Sequence, residues 1–381
     1  MSKIYHHRPI RVTIVVVACL ILLNLFPFCR FTAYGQTILT PHVLSTGYEQ
    51  DLLKENSYRF TSDGKELIRM DVPQNGAVVI SLYGQKGTFI NTEVYTRADA
   101  SDLPFYMKAQ CTPDRGNRGT MTHYLNKGTY YLRFPENTYE VGVVLYPCKN
   151  QTLKDGAVIA AYCDYTQENI YSYKAPSNGY ITVSQTTLSD VGGKGTMTAV
   201  FCNSKGTKLA ENAIFSDVQK GKVSYAVKKG TTYKLKVKAL SVNDTQYYQL
   251  KLKHTAVNEK SGSTKKKAVS VSFGNKVSGT VFAEDSATKA DWYKIKNPKK
   301  QQLLLNYSGS ITSGSLMKDV YDAKGKKLDS YSVISNIGEE KENLMHNAGG
   351  GTTMPAGTYY LRVTKSRKSS TGIYSFSLSG K

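Results

Sequence analysis

The chain has 381 residues, of which 50 are Lys or Arg and 29 are Asp or Glu, giving a formal net charge of +21. That balance favours anionic partners, whether wall polymers, acidic polysaccharides, membrane surfaces or nucleic acid, without choosing among them. Apart from the adjacent His6 and His7, the histidines are scattered like the six cysteines, with no spacing that would build a zinc centre, which excludes a recognisable zinc enzyme.

The first element reads as an export signal. Lys3, Arg8 and Arg11 precede an apolar run over 12–28 that is broken only by Thr13, Asn24 and Pro27. Ala33, Tyr34 and Gly35 then place small residues where a signal peptidase inspects the chain, so cleavage before Gln36 is expected. The competing reading is an uncleaved anchor, because the run approaches spanning length. Membrane attachment is therefore expected only through 1–35. Val16, Val17, Ala18 and Cys19 resemble a lipobox, but strongly apolar sequence continues past Cys19, where a lipoprotein would begin a polar tether. The chain closes at Gly380 and Lys381 without a hydrophobic tail or wall-sorting pattern, so the protein is expected to be secreted or held at the cell surface.

A repeated phrase follows. Lys127, Gly128, Thr129, Tyr130, Tyr131, Leu132, Arg133 and Phe134 return in related form at 229–237 and 356–363. Each copy follows a proline turn, at Pro73, Pro176 and Pro298, and the turn-to-glycine distances are 55, 54 and 59 positions. Between them lie Val94, Tyr95 and Thr96, then Phe201, Cys202 and Asn203, then Val320, Tyr321 and Asp322. Lys-Gly turns succeed the second and third of these, at Lys205 and Gly206 and at Lys324 and Gly325. Closing strands are expected over 141–146, 247–253 and 373–378. The unit is too long for a solenoid repeat, and period-two alternation dominates, as in Tyr233, Leu235 and Val237 against Lys234, Lys236 and Lys238. The fold class is therefore all-β: three tandem antiparallel β-sandwiches over 44–150, 151–257 and 270–381. Residues 258–269, polar and basic with Lys265, Lys266 and Lys267, read as a solvated linker.

Four cysteines remain after the leader: Cys111 and Cys148 in repeat one, Cys163 and Cys202 in repeat two. Two per repeat in an exported chain suggest one disulfide each, and buried reduced thiols are the alternative. Lys234, Lys236 and Lys238 on one strand and Lys251 and Lys253 on the closing strand would share a face if both strands lay in one sheet, offering a site for an anionic polymer. A solvated, edge-guarding face is the other reading. Tyr130, Tyr359, Tyr171 and Tyr293 recur at equivalent positions and read as packing; Tyr106, Tyr139 and Tyr331 stand outside the shared blocks and are the candidates for stacking on sugars. Glu284, Asp285 and Asp291 crowd before Trp292 and Tyr293 and could hold calcium through oxygen ligands, or be ordinary turn residues.

No nucleophile elbow, phosphate loop or dinucleotide fingerprint is present, and Cys111 with His123 has no flanking motif. A non-enzyme is expected.

Asp291, Trp292, Tyr293, Lys294 and Ile295, the block at 320–325, the phrase at 356–363 and Gly372, Ile373 and Tyr374 together resemble the bacterial pre-peptidase C-terminal (PPC) domain. The resemblance spans roughly 270–381, is partial over repeat two and faint over repeat one. It implies a jelly-roll-like β-sandwich of the kind appended to secreted proteases and other exported proteins, some members binding collagen or carbohydrate, with calcium near the first strands. Repeats one and two depart from the pattern, with Leu67 and Ile170 beside the corresponding strand, and within these 381 residues no protease is expected beside the domains.

The function expected is that of an exported, non-catalytic binding protein for an extracellular polymer or matrix protein, with no nucleic-acid partner. Two alternatives stay open: a secreted polysaccharide-active or proteolysis-associated enzyme component, and a structural wall or assembly component.

Overall fold

The strand Thr232–Ala239 follows the rule that builds the whole molecule: Tyr233, Leu235, Val237 and Ala239 are buried, while Thr232, Lys234, Lys236 and Lys238 lie on the other face. A period-two side-chain pattern can satisfy its apolar half only against a second layer. The computed structural model describes residues 37–44, 57–83, 88–111, 117–188, 192–216, 221–334, 337–345 and 353–381. The leader expected over 1–35 lies outside them. Among the described residues no helix is long and apolar enough to cross a membrane.

From Leu39 to Lys381 the described strands form six sheets in three pairs, each pair enclosing one apolar core. One sheet of each pair carries the repeated Gly-Thr phrase and is here called the phrase sheet. In sandwich one its strands run Ile68–Val72, Gly128–Arg133, Phe89–Tyr95, Phe105–Gln110 across the sheet; sandwich two repeats the order with Asn169–Lys174, Thr232–Ala239, Thr196–Asn203, Ala213–Ser216. Sandwich three repeats it with Ala290–Asn297, Gly357–Lys365, Leu316–Asp322, Lys327–Ile334. The partner, or closing, sheets are built around Asn137–Pro147, Thr245–Ala256 and Thr371–Gly380, each paired with one of the long strands Gly76–Tyr83, Gly179–Thr187 and Leu303–Ser313. Val94, Phe201 and Val320 occupy matching core positions, as do Leu132, Leu235 and Leu361. Pairing is antiparallel except for short edge strands such as Gln151–Thr152 and Val269–Val271, which run parallel to their neighbours.

The expected Lys-Gly turns are present and have a local cause. Asn203 Oδ1 accepts from the backbone N–H of Lys205 at 3.0 Å and of Thr207 at 2.9 Å, and Asp322 Oδ1 accepts from Lys326 at 2.8 Å. Gly206 and Gly325 close these turns at φ of +89° and +93°, a region that side chains with a Cβ enter at a cost.

Sandwiches one and two meet through the outer faces of their closing sheets. Val79, Val144 and Tyr146 from the first pack on Ala160, Tyr162 and Tyr247 from the second. The Tyr146 and Tyr247 rings cross edge to face at 5.1 Å, and Tyr162 lies 5.2 Å from Tyr247. This joint is dry and aromatic.

The stretch expected to be a solvated tether is instead laid against sandwich three. Gly262 exchanges backbone hydrogen bonds with Trp292, at 3.0 and 2.8 Å, extending the phrase sheet. Lys265 Nζ donates to the Ala323 carbonyl at 2.9 Å and sits 4.7 Å over the Tyr360 ring. Glu259 Oε2 accepts from the N–H and hydroxyl of Thr280, each at 2.9 Å. Once such specific partners are within reach, a polar composition no longer implies a free chain.

Candidate functional site

Strand Thr245–Ala256 changes character along its outward face. Tyr247 lies in the aromatic joint; Lys251, Lys253 and Thr255 then follow on the same side toward the other end. The register sets these beside the outward residues of Gly179–Thr187: Lys253 opposite Thr182, Lys251 opposite Ser184, Thr255 opposite Tyr180. The next strand, Gly221–Val227, continues both rows, with Ser224 opposite Thr182 and Lys222 opposite Ser184. Thr182 Oγ1 and Ser224 Oγ are 3.1 Å apart. The result is a grid of hydroxyls and ammonium groups on one sheet surface.

The closing sheet of sandwich three faces part of this grid with a row of its own. Ser278, Ser375 and Ser308 stand abreast on three neighbouring strands, and the hydroxyls of Ser308 and Ser375 are 2.8 Å apart. Between the two sheets runs a cleft of about 680 Å3, with Lys222 and Lys276 in its lining and no carboxylate among its described lining residues. A smaller recess beside it is lined by Lys222, Lys251 and Lys253. The two walls touch at Thr312, whose hydroxyl donates to the Ser224 carbonyl at 2.5 Å. Arg367 of the third sandwich also pairs with Glu211 of the second at 2.9 Å.

Hydroxyls both donate and accept, and ammonium groups donate only. A wall built from these two types fits a ligand that carries its own hydroxyls together with anionic oxygens.

The five lysines expected on one face are split by the fold. Lys234, Lys236 and Lys238 lie on the phrase sheet, whereas Lys251 and Lys253 lie on the closing sheet, so the two groups occupy opposite outer surfaces of sandwich two. Lys236 is partnered by Glu168 at 3.7 Å, and Lys238 lies 4.7 Å over the Tyr165 ring. Sequence reasoning missed Lys222, which strand order brings beside Lys251 and Lys253, and Lys276, which sandwich three places in the cleft with Lys222.

The acidic residues expected to gather around calcium do not converge. Asp285 Oδ2 accepts from the Phe282 N–H and from Lys289 Nζ, both at 3.0 Å, which is turn chemistry. Asp291 is buried and accepts from Tyr374 OH at 2.7 Å and Ser261 Oγ at 3.1 Å, and Ser261 also donates to Glu259 Oε1 at 2.7 Å. Its carboxylate neighbour is therefore Glu259 from the linker, not Glu284. Burial, and then the charge of Glu259, push the Asp291 carboxyl up to about 6. Among the described residues no three His, Cys, Asp or Glu side chains are placed to hold a metal ion.

The expected disulfides are absent: Cys111, Cys148, Cys163 and Cys202 are free thiols. Cys111 packs in the first core, while Cys148 lies beside Gln167 of the second repeat, 4.0 Å from Oε1. Cys163 points into the second core from the closing sheet. Cys202 follows the core residue Phe201 on its strand and so projects from the other side of the phrase sheet. Burial raises all four thiols, Cys148 to about 11, which keeps them protonated and unreactive at neutral pH.

Of the tyrosines expected to stack on sugars, Tyr106 is 47% exposed. Tyr139 is instead in the first core, its hydroxyl donating to the Pro135 carbonyl at 3.0 Å. The Tyr331 side chain lies outside the described residues. The arginine of the repeated phrase turns outward and is clamped in two sandwiches. Arg133 bonds Glu93 and Tyr95, and Arg362 bonds Asp319 and Tyr321.

No family model matches the chain, and no curated protein matches it. Among solved structures it is similar to the pre-peptidase C-terminal domain of a Bacillus anthracis collagenase, at 12% identity and a TM-score of 0.22, over 29% of this chain and 93% of that domain. It is also similar to the tandem CBM22 domains of Xyn10C from Paenibacillus barcinonensis, at 7% identity and 0.19, over 59% of this chain and 87% of the other. Tripeptidyl peptidase 2 shares 9% identity at 0.26, over 88% of this chain but 32% of that protein. At these TM-scores none of the three bears on what this chain binds.

Proposed function

We propose that the chain is an exported, non-catalytic binding protein of three tandem β-sandwich domains, and that the second and third grip an anionic extracellular polysaccharide between them. The observation that carries this reading is the cleft lined by hydroxyls with Lys222 and Lys276, which continues onto Lys251 and Lys253 with no carboxylate in its described lining. Ammonium groups on the rim attract the polymer's acidic groups, and the serine and threonine rows exchange hydrogen bonds with its ring hydroxyls.

The test is equilibrium binding of the full-length mature chain to polygalacturonate, with dextran as the uncharged comparison. The double variant K222Q/K276Q is expected to weaken polygalacturonate binding about tenfold at low salt, equivalent to about 1.4 kcal/mol, and added salt should weaken the wild type. The triple variant K234Q/K236Q/K238Q, on the opposite sheet, is expected to bind as the wild type does. Equal loss in both variants, or equal affinity for dextran, would overturn the assignment of the cleft.

A further inference from the structure

Lys318 is buried in the third sandwich, 2% exposed, on the strand Leu316–Asp322 of the phrase sheet. Its side chain crosses the core to the closing sheet, where Nζ donates to Glu342 Oε1 on Ile337–Asn343. Nζ lies 3.5 Å from the centre of the Tyr307 ring. The Tyr307 hydroxyl is 2.9 Å from Glu340 Oε2 and 3.2 Å from Glu342 Oε2, so it bridges the two carboxylates. The register explains the grouping, since Tyr307 stands opposite Glu340 and Leu305 opposite Glu342, which puts both acids on the side of the sheet that faces Lys318.

Such a pair is poorly served by charge. Removal from water lowers the proton affinity of the Lys318 amine below the ordinary lysine range, against the opposing pull of Glu342, Glu340 and Asp329. Passing one proton from Lys318 to the carboxyl group it touches is the step that would leave both partners uncharged. The Lys318 amine is in contact with the Glu342 carboxyl group, and for an intramolecular acyl transfer such proximity removes much of the barrier.

We infer that Lys318 and Glu342 condense into an intramolecular amide, a covalent staple joining the two sheets of the third sandwich. The Lys318 Nζ lone pair attacks Glu342 Cδ and forms the C–N bond. The C–OH bond of the acid breaks, and the hydroxyl leaves as water with one of the two amine hydrogens. Glu340, exposed to solvent and held beside the pair by Tyr307, accepts that proton from the amine and returns it to the departing hydroxyl. No oxidant, metal or cofactor enters the balance. The burial of Lys318, with Glu342 only 16% exposed, restricts the water that would reverse the step.

The experiment is intact-mass measurement of the purified full chain, with its N-terminus determined, followed by peptide mapping under denaturing conditions. The wild type is expected to be lighter than its sequence by one water and to yield a branched peptide containing Lys318 and Glu342. K318M is expected to recover the full sequence mass, and E340A, which leaves both bonding partners in place, to give a mixture of linked and unlinked chains. A wild type at full mass, with Lys318 and Glu342 found only in separate linear peptides, overturns the inference whatever the variants do.

Discussion

Asp291 is a carboxylate that the fold holds in an unfavourable place. It is 3% exposed, and Glu259, Lys289, Tyr293, Tyr374 and Ser261 surround it. Its folded pKa, raised to about 6, lies above the unfolded value of 3.8, so the folded state binds more protons between those values. Stability from this group therefore falls as pH rises through that window, by roughly 3 kcal/mol at the limit of about 1.4 kcal/mol per unit. The wild type should gain thermal stability relative to Asp291→Asn as pH falls from 7 to 5; parallel melting curves for the two proteins would refute this. The corresponding position in sandwich two is Asn169, which donates to Tyr248 OH at 2.6 Å, the partner of Tyr171, so an amide already serves the same buried tyrosine pair there. At this scale the sequence misled: Asp291 stands near Glu284 and Asp285 along the chain, but its partner Glu259 arrives from the linker. The thiols were misread for a related reason, because two cysteines per repeat do not reveal which side of a strand each one leaves. Thiol titration of the denatured, unreduced mature protein should find all four of Cys111, Cys148, Cys163 and Cys202 free.

At the scale of elements, alternation and turn chemistry were legible because both are local. The closing strands expected over 141–146, 247–253 and 373–378 lie within Asn137–Pro147, Thr245–Ala256 and Thr371–Gly380, and the Lys-Gly turns fall where read. Sheet membership was not legible, because pairing joins residues far apart in sequence; this separated Lys234, Lys236 and Lys238 from Lys251 and Lys253 and brought Lys222 to the latter. The turn at Gly206 gives a clean energetic test. A Cβ added there would meet no atom within 4 Å, so Gly206→Ala changes only the backbone preference at φ +89°. Denaturant unfolding should show a loss of about 1 kcal/mol without a change in polymer binding. A much larger loss would mean the turn is crowded in a way its surroundings do not suggest.

At the scale of the whole described molecule, the two joints differ in kind. Between sandwiches one and two, tyrosine rings and small aliphatic side chains exclude water; between two and three, hydroxyls and lysines line an open cleft. Truncating Tyr247, 5% exposed, to Ala should cost roughly 3 to 5 kcal/mol, the range for a buried aromatic. Calorimetry should then show sandwiches one and two, joined in one transition in the wild type, melting apart. Unchanged calorimetric traces would show that the joint contributes little.

Both joints draw on Thr245–Ala256, a strand of 12 residues. Substitutions along it act one at a time, but a one-residue insertion or deletion near Gln249 would reverse the facing of every residue beyond it. Lys251 and Lys253 would then point into the core and Leu250 and Leu252 out to solvent. Homologues that keep this architecture should therefore exchange residues along this strand only within the same face, apolar for apolar and polar for polar, and should hardly vary in its length.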